Sequence, residues 1–364
     1  MSSVPDPKRP NFFERFDEEG GSKRKLKNWN LKLVAIVAIS WSLFQLWYAS
    51  PLPFILDFGK IIDVPARSVH LAFGLALCFL AYPTFKKNRD RPISGIDFLL
   101  VVISIAATLY IFFDYEGLVY RQGIMAKVNL FGFNIPYEVI LGSLGIILLL
   151  EATRRAIGIP LVIIALIFLL FSIFGQSMPD LISHQGLSIT RLVGYHWFGG
   201  EAIFGIPISV SVSFIFLFVL FGAILDVAGG GKYFLNLAFS LVGKMRGGPA
   251  KAAILASGLT GLISGSSVAN TVTTGTFTIP IMKKTGLPSI KAGAVEVAAS
   301  VNGQIMPPIM GAAAFVMAEL LGGDTIHHAL GIPAFGNRRA VSYTHLRAHE
   351  TPEHRVCRLV LEKK

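Results

Sequence analysis

Six apolar runs, at 33–49, 68–83, 96–113, 138–152, 159–175 and 206–228, set the terms on which this chain can fold. Runs of this length and composition mark helices that cross a lipid bilayer, where each backbone polar group must be satisfied within its own segment. Charged residues make up only 15% of the chain, and mean hydropathy is +0.60. A soluble domain carries about 25% charged residues. The expected fold class is therefore an all-α integral membrane protein, a multi-span helical bundle in contact with the lipid bilayer. The net charge of +11 does not imply nucleic acid, because basic residues that flank spans account for it. Two cysteines exclude a disulfide scaffold and leave no transition-metal site.

Residues 1–30 are polar and basic and read as a cytoplasmic tail. The first apolar run begins at Leu31 and lacks a small-residue cleavage site, so it reads as a retained span. Basic loops at Lys86, Lys87, Arg89 and Arg91, at Arg154 and Arg155, and at Lys232, Lys244, Arg246 and Lys251 alternate with loops of mixed charge. This alternation places the N-terminus inside. Trp41, Trp47, Tyr48, Tyr110, Tyr195 and Trp197 lie near span ends, as an aromatic belt would.

The segment 252–282 breaks the pattern. Lysines bound it on both sides, at Lys251 and at Lys283 and Lys284, so both ends read as cytoplasmic. Two full spans need about 40 residues, more than this segment offers. Its middle is small and polar: Ser264, Gly265, Ser266, Ser267, Asn270, Thr271, Thr273 and Thr274. The reading is a re-entrant helical hairpin that turns at membrane depth, which is tolerated only where protein or a water-filled cavity surrounds it. A second interrupted run follows at 292–322, with Asn302, Gly303, Gln304, Pro307 and Pro308 at its centre. Paired prolines break the helical ladder, and the freed carbonyls need partners, of which an ion or a polar ligand is one candidate.

Other features read more simply. GGGK at 229–232 is not a phosphate loop, because Asp226 and Tyr233 stand where a glycine and a serine or threonine are required; it reads as a loop leaving a span. His327 and His328 are adjacent and would face different ways on a helix. Glu151, Arg154 and Arg155 read as a snorkelling cluster at a span end, and Glu319 as an interfacial carboxylate. Glu296 divides evenly between a functional carboxylate and a cytoplasmic one near Lys291. The stretch from about 337 onward is charged and His-rich, and AVSYTHLRAHETPEH resembles a translated sequencing-adapter read-through; 337–364 reads as a non-native tail.

GKMRGGPAK, SGSSVANTVTTGTFTIPIMKKTG and AGAVEVAASVNGQIMPPIMGAAAFVMAE resemble the fused four-plus-twelve-helix permeases of the tripartite ATP-independent periplasmic (TRAP) transporters. The resemblance covers 206–322 strongly. By span number and placement, 31–155 is similar to the small four-helix subunit and 156–336 to the start of the large transport domain. It implies the first inverted repeat of an elevator-type transporter in the bacterial inner membrane, a chain that stops short of the second repeat. It also implies a function: sodium-coupled import of small organic acids delivered by a periplasmic substrate-binding protein, with no enzyme activity and no cofactor beyond sodium as coupling ion. On that footing Ser264, Gly265, Ser266, Ser267, Asn270, Asn302, Gly303 and Gln304 are the expected sodium site, the individual ligands being chosen as hard oxygen donors. Thr273, Thr274, Pro307 and Pro308 are candidates for the substrate path. The competing readings are a membrane-embedded lipid-modifying enzyme, for which the spans show no Asp/His/Glu cluster, and a non-transporting scaffold, which has no need of a short polar hairpin.

Overall fold

The computed structural model of the chain describes residues 24, 26, 28–61, 63–85, 92–121, 124–130, 133–245, 247–306 and 311–320. Pro307, Pro308 and the tail at 337–364 lie outside the described residues, as do the side chains of Ser264 and Glu319. The chain forms two compact units, Met1–Phe315 and Val316–Lys364; the described part of the second is the end of one helix.

Among the described residues the regular structure is helical apart from one antiparallel pair of three-residue strands, β1 (Val128–Leu130) and β2 (Phe133–Ile135). The helices that build the core and the site are α1 (Asn28–Ala49), α2 (Asp63–Ala81), α3 (Gly95–Phe113), α4 (Tyr137–Ala156), α5 (Ile159–Ile173), α6 (Ile206–Val210), α7 (Phe216–Val227), α8 (Gly230–Val242), α9 (Gly248–Ser264), α10 (Ser267–Lys284), α11 (Ser289–Val301) and α12 (Ala312–Leu320). Among the described residues, four helical segments are long and apolar enough to cross a membrane: Trp29–Ala49, Asp63–Ala81, Gly95–Phe113 and Ile206–Leu225. Helix α5 is equally apolar but has 15 residues, which at 1.5 Å per residue span about 22 Å.

The first half is built around α2, which packs against α1, α3 and α4. Its core is two adjoining apolar clusters, one around Leu75, Phe79, Leu80, Val101 and Leu148, the other around Ala107, Ile111, Trp197 and Phe204. Ser94 starts α3 with a reciprocal cap: the Asp97 amide donates to Ser94 Oγ at 3.2 Å, and the Ser94 amide donates to Asp97 at 3.4 Å. This satisfies two of the donors that a helix start leaves open.

Two expectations are corrected here. The snorkelling reading does not hold for Arg155. Arg155 is buried, donating to Asp97 at 2.7 Å and to Glu151 at 2.7 Å, with its guanidinium over the Phe79 ring. Arg24 reaches the other oxygen of Asp97 at 2.7 Å, while its own amide donates to the Ala81 carbonyl at 2.8 Å. Asp97 thus joins the N-terminal tail, α3 and α4 in one buried ion cluster. The second correction is GGGK itself, whose Gly230, Gly231 and Lys232 are the first turn of a helix and not a loop. That helix is α8, entered from Gly229 in a left-handed conformation (φ +89°).

The last long span is interrupted. Residues Ser211–Ile215 form a π-helical turn between α6 and α7. Such a turn leaves the regular hydrogen-bond ladder, and Gln45 Nε2 of α1 donates to the Val212 carbonyl at 2.9 Å. Beside it Trp41 Nε1 donates to His70 Nδ1 at 3.1 Å, which leaves the proton of a neutral imidazole on Nε2, 3.1 Å from Ser211 Oγ. Buried polar contacts therefore tie α1 and α2 to the span that precedes the polar hairpin. At the far end of α3, Arg121 donates to Asp114 at 2.7 Å. That hydrogen bond holds the Asp114 carboxyl below the usual carboxylate range, against a smaller opposing effect of burial.

Candidate functional site

Residues 248–284 form a helical hairpin. Gly265 ends α9 with φ +57°, a left-handed conformation that favours glycine, and its amide donates to the Gly261 carbonyl at 3.2 Å. After Ser266 the chain re-enters a helix, the Asn270 amide donating to the Ser266 carbonyl at 2.9 Å. The turn is therefore two residues long, within the Ser264–Ser267 cluster. Pro280 lies inside α10, where it removes one ladder bond.

The next helix, α11, ends at Val301 in the 3₁₀ turn Asn302–Gln304. The Asn302 carbonyl accepts from the Ile305 and Met306 amides, and the Gln304 carbonyl accepts from the Gly311 amide at 2.7 Å, where the chain restarts before α12. Helices α9, α10 and α11 pack together, and the 3₁₀ turn lies against α9 and α10 near the hairpin turn.

That packing brings much of the expected set together. Gly303 lies against Gly261 and against the Asn270 amide: a methyl group added to Gly303 would stand 3.1 Å from Asn270 Nδ2. Gln304 Nε2 donates to Ser267 Oγ at 3.1 Å. Asn270 is fully buried and fully engaged. Its Nδ2 donates to the Ser257 carbonyl at 2.8 Å and to Ser257 Oγ at 2.9 Å, and its Oδ1 accepts from Thr260 Oγ1 at 2.5 Å. Ser257 Oγ lies 3.3 Å from Ser300 Oγ. Gly265 and Ser266 form the turn itself, directly after Ser264, the last residue of α9. Thr274 lies two turns from it, facing α11 rather than the 3₁₀ turn.

Glu296 is the second part of the cluster, buried between helices and not exposed beside Lys291. Its side chain is sealed between α11 and α10, with no exposed surface. Thr274 Oγ1 donates to Oε1, Thr278 Oγ1 donates to Oε2 at 2.5 Å, and Ser300 Oγ lies 3.5 Å from Oε1.

Ser257, Thr260, Thr278 and Ser300 were not among the expected site residues. Their signal is periodic. Ser257, Thr260 and Gly261 on α9, Asn270, Thr274 and Thr278 on α10, and Glu296, Ser300 and Gly303 on and after α11 recur every three or four residues. Each set therefore lies on one face of its helix. Three polar stripes meet inside an otherwise apolar three-helix contact, whose remaining core is Ala253, Met282 and Ala292. Around the hairpin turn and the 3₁₀ break the arrangement supplies hydroxyl, amide and backbone carbonyl oxygens, the donor set of a hard cation. Among the described residues no group of three His, Cys, Asp or Glu stands ready for a metal ion.

Residues 144–334 match the family model described as tripartite ATP-independent periplasmic transporter, DctM component. The chain is 33% identical over 178 residues to the uncharacterised protein YgiK of Salmonella typhimurium, covering 49% of this chain and 36% of that protein. It is 35% identical over 100 residues to a putative TRAP transporter large permease protein of Haemophilus influenzae. Over 100 residues it is also 31% identical to the 2,3-diketo-L-gulonate TRAP transporter large permease protein YiaN of Escherichia coli. Each of these two matches covers 28% of this chain and 24% of the relative. The chain therefore spans about a third or less of the curated relatives it matches. No solved structure matches it.

Proposed function

The chain belongs to the DctM-component family of the tripartite ATP-independent periplasmic transporters, and from that premise we propose that it serves as a permease for sodium-coupled import of small organic acids. In this reading a periplasmic binding protein delivers the substrate, and the chain sits in the cytoplasmic membrane with its N-terminus inside. The hairpin α9–α10 is re-entrant, and its turn and the 3₁₀ break hold the coupling ion. The family is that of a transporter component and not of an enzyme.

One observation carries the ion site. The hairpin turn and the broken helix, two interruptions far apart in sequence, meet through Gly261 and Gly303, Ser267 and Gln304, and the buried Asn270. Broken helices that meet in this way expose carbonyls and half-helix ends, the elements from which transporters build ion and substrate sites. Sodium answers an energetic need. An anion entering a cell against about 100 mV is opposed by ~2.3 kcal/mol per charge, and co-entry of cations reverses the sign. The name of the Escherichia coli relative specifies a sugar acid, 2,3-diketo-L-gulonate, which supports small organic anions as the substrate class.

The test is uptake by the full-length native protein in proteoliposomes, supplied with its binding protein and a panel of labelled small carboxylates. Uptake of at least one carboxylate that requires an inward sodium gradient is expected. Uptake that is unchanged when choline replaces sodium would overturn the coupling.

A further inference from the structure

The sealed Glu296 carboxyl is not explained by an ion at the hairpin turn. Among the described residues it forms no ion pair. The charged groups on the elements packed around it are Lys251 of α9, Lys283 and Lys284 of α10 and Lys291 of its own helix, and all four are exposed. A buried carboxylate without a cation is costly, and here its neighbours are neutral hydroxyls.

The protons around it can be counted. Thr274 Oγ1 contacts two acceptors, Glu296 Oε1 and the Asn270 carbonyl at 2.8 Å. Thr278 Oγ1 contacts Glu296 Oε2 at 2.5 Å and the Thr274 carbonyl at 3.0 Å. A hydroxyl has one proton, so the two threonine protons face four acceptor contacts, and Ser300 Oγ reaches Oε1 only at 3.5 Å, the limit of a hydrogen bond. A proton on the carboxyl adds a donor within the threonine pair. Glu296 then donates to one threonine oxygen, and that threonine turns its own proton to its helix carbonyl. The same proton removes the buried charge. Space argues for a proton over a metal ion, because both carboxyl oxygens are already in contact with hydroxyls and a methyl group on Gly275 would stand 3.1 Å from Glu296 Cγ.

We propose that Glu296 is a proton-binding site of this protein, distinct from the ion site at the hairpin turn. Because the carboxyl is sealed between α10 and α11, it can exchange its proton only when the two helices part, which ties proton loading to their motion. The site is also wired to the turn: Ser300, Ser257 and Asn270 follow one another from Glu296 at 3.5, 3.3 and 2.9 Å. The proposal rests on the transport reading for its purpose, but its test does not require transport.

The test is infrared spectroscopy of the purified full-length native protein in lipid nanodiscs. The wild type is expected to show the carbonyl-stretch band of a protonated carboxyl, which bleaches reversibly as the pH is raised. Glu296→Gln should lack the band, and Glu201→Gln, in an exposed loop, should retain it. Thr278→Val keeps the carboxyl but removes one hydroxyl partner, so the band should persist at a shifted frequency; this holds the proposal testable if Glu296→Gln fails to fold. Absence of the band in the wild type, or its persistence in Glu296→Gln, would overturn the proposal. A band that never bleaches would also overturn it, as it marks a fixed structural proton. Failure of sodium-driven uptake with this band intact would count against the transport reading alone.

Discussion

Gly261 and Gly303 pack backbone to backbone: a methyl group on Gly261 would stand 2.5 Å from the Gly303 Cα. The obstacle is backbone and not the end of a flexible side chain, so it cannot step aside cheaply. This contact fixes how closely the broken helix approaches the hairpin. Every contact between Asn270, Ser267 and the 3₁₀ turn depends on it.

Gly261→Ala is therefore expected to push the 3₁₀ turn off the hairpin, at a cost of about 1–3 kcal/mol for overpacking. The check is the thermal midpoint of the purified protein, together with crosslinking between cysteines placed at Ser267 and Gln304 in a protein whose Cys78 and Cys357 have been replaced. The wild-type background should crosslink and the alanine variant should not. A variant of wild-type stability with an intact crosslink would show that the close approach is dispensable.

Asp97 anchors the other half of the fold through Arg24 and Arg155, all three side chains being almost fully buried. Removing one member of a buried ion cluster leaves an uncompensated charge and costs about 3–5 kcal/mol. Asp97→Ala, which strands two arginines, should destabilise more than Arg24→Ala. Limited proteolysis should also cut the N-terminal tail faster in Arg24→Ala, because the Arg24 side chain pins that segment to Asp97. Equal cutting in wild type and variant would mean that the tail is held elsewhere.

The proposed topology makes a directional prediction. With Cys78 and Cys357 replaced, single cysteines at Lys244 and Lys283 should react with an impermeant reagent from the cytoplasmic face. One at Gln185 should react from the periplasmic face. Labelling at Lys283 from the periplasmic side would mean that α9 and α10 cross an odd number of times, and the re-entrant reading of the hairpin would be lost.

The hairpin and the break were legible because each announces itself locally. Gly265 and its serines interrupt one apolar run, and Asn302–Gln304 with the paired prolines interrupt another. Helix α8 was not, since Gly229–Gly231 and Lys232 read as a loop. Its apolar spacing at Phe234, Leu237, Ala238 and Leu241 was the overlooked signal, and Ala238 is fully buried. Arg155 was read from its position at a span end. Its partner Asp97 lies 58 residues away, and no local pattern foretells that pairing. Glu296 stayed undecided for a related reason: nearness to Lys291 in sequence was weighed, whereas Thr274 and Thr278, one turn apart on the facing helix, decide its surroundings. The π turn at Ser211–Ile215 carries no proline or glycine and left no trace in the sequence.

The central claim is that the hairpin turn and the 3₁₀ break hold a sodium ion, and binding to the folded state must then stabilise it. A site filled at about 100 times its dissociation constant adds ~2.7 kcal/mol. The decisive measurement is the thermal midpoint of the purified full-length native protein in sodium chloride and in choline chloride at equal ionic strength. The account predicts a sodium-specific rise in the wild type that is retained in Thr276→Ala, an exposed position on α10. The rise should be lost in Ser267→Ala and Asn270→Ala, whatever their baseline stability. Equal midpoints in the two salts, or an undiminished sodium increment in both variants, would contradict it.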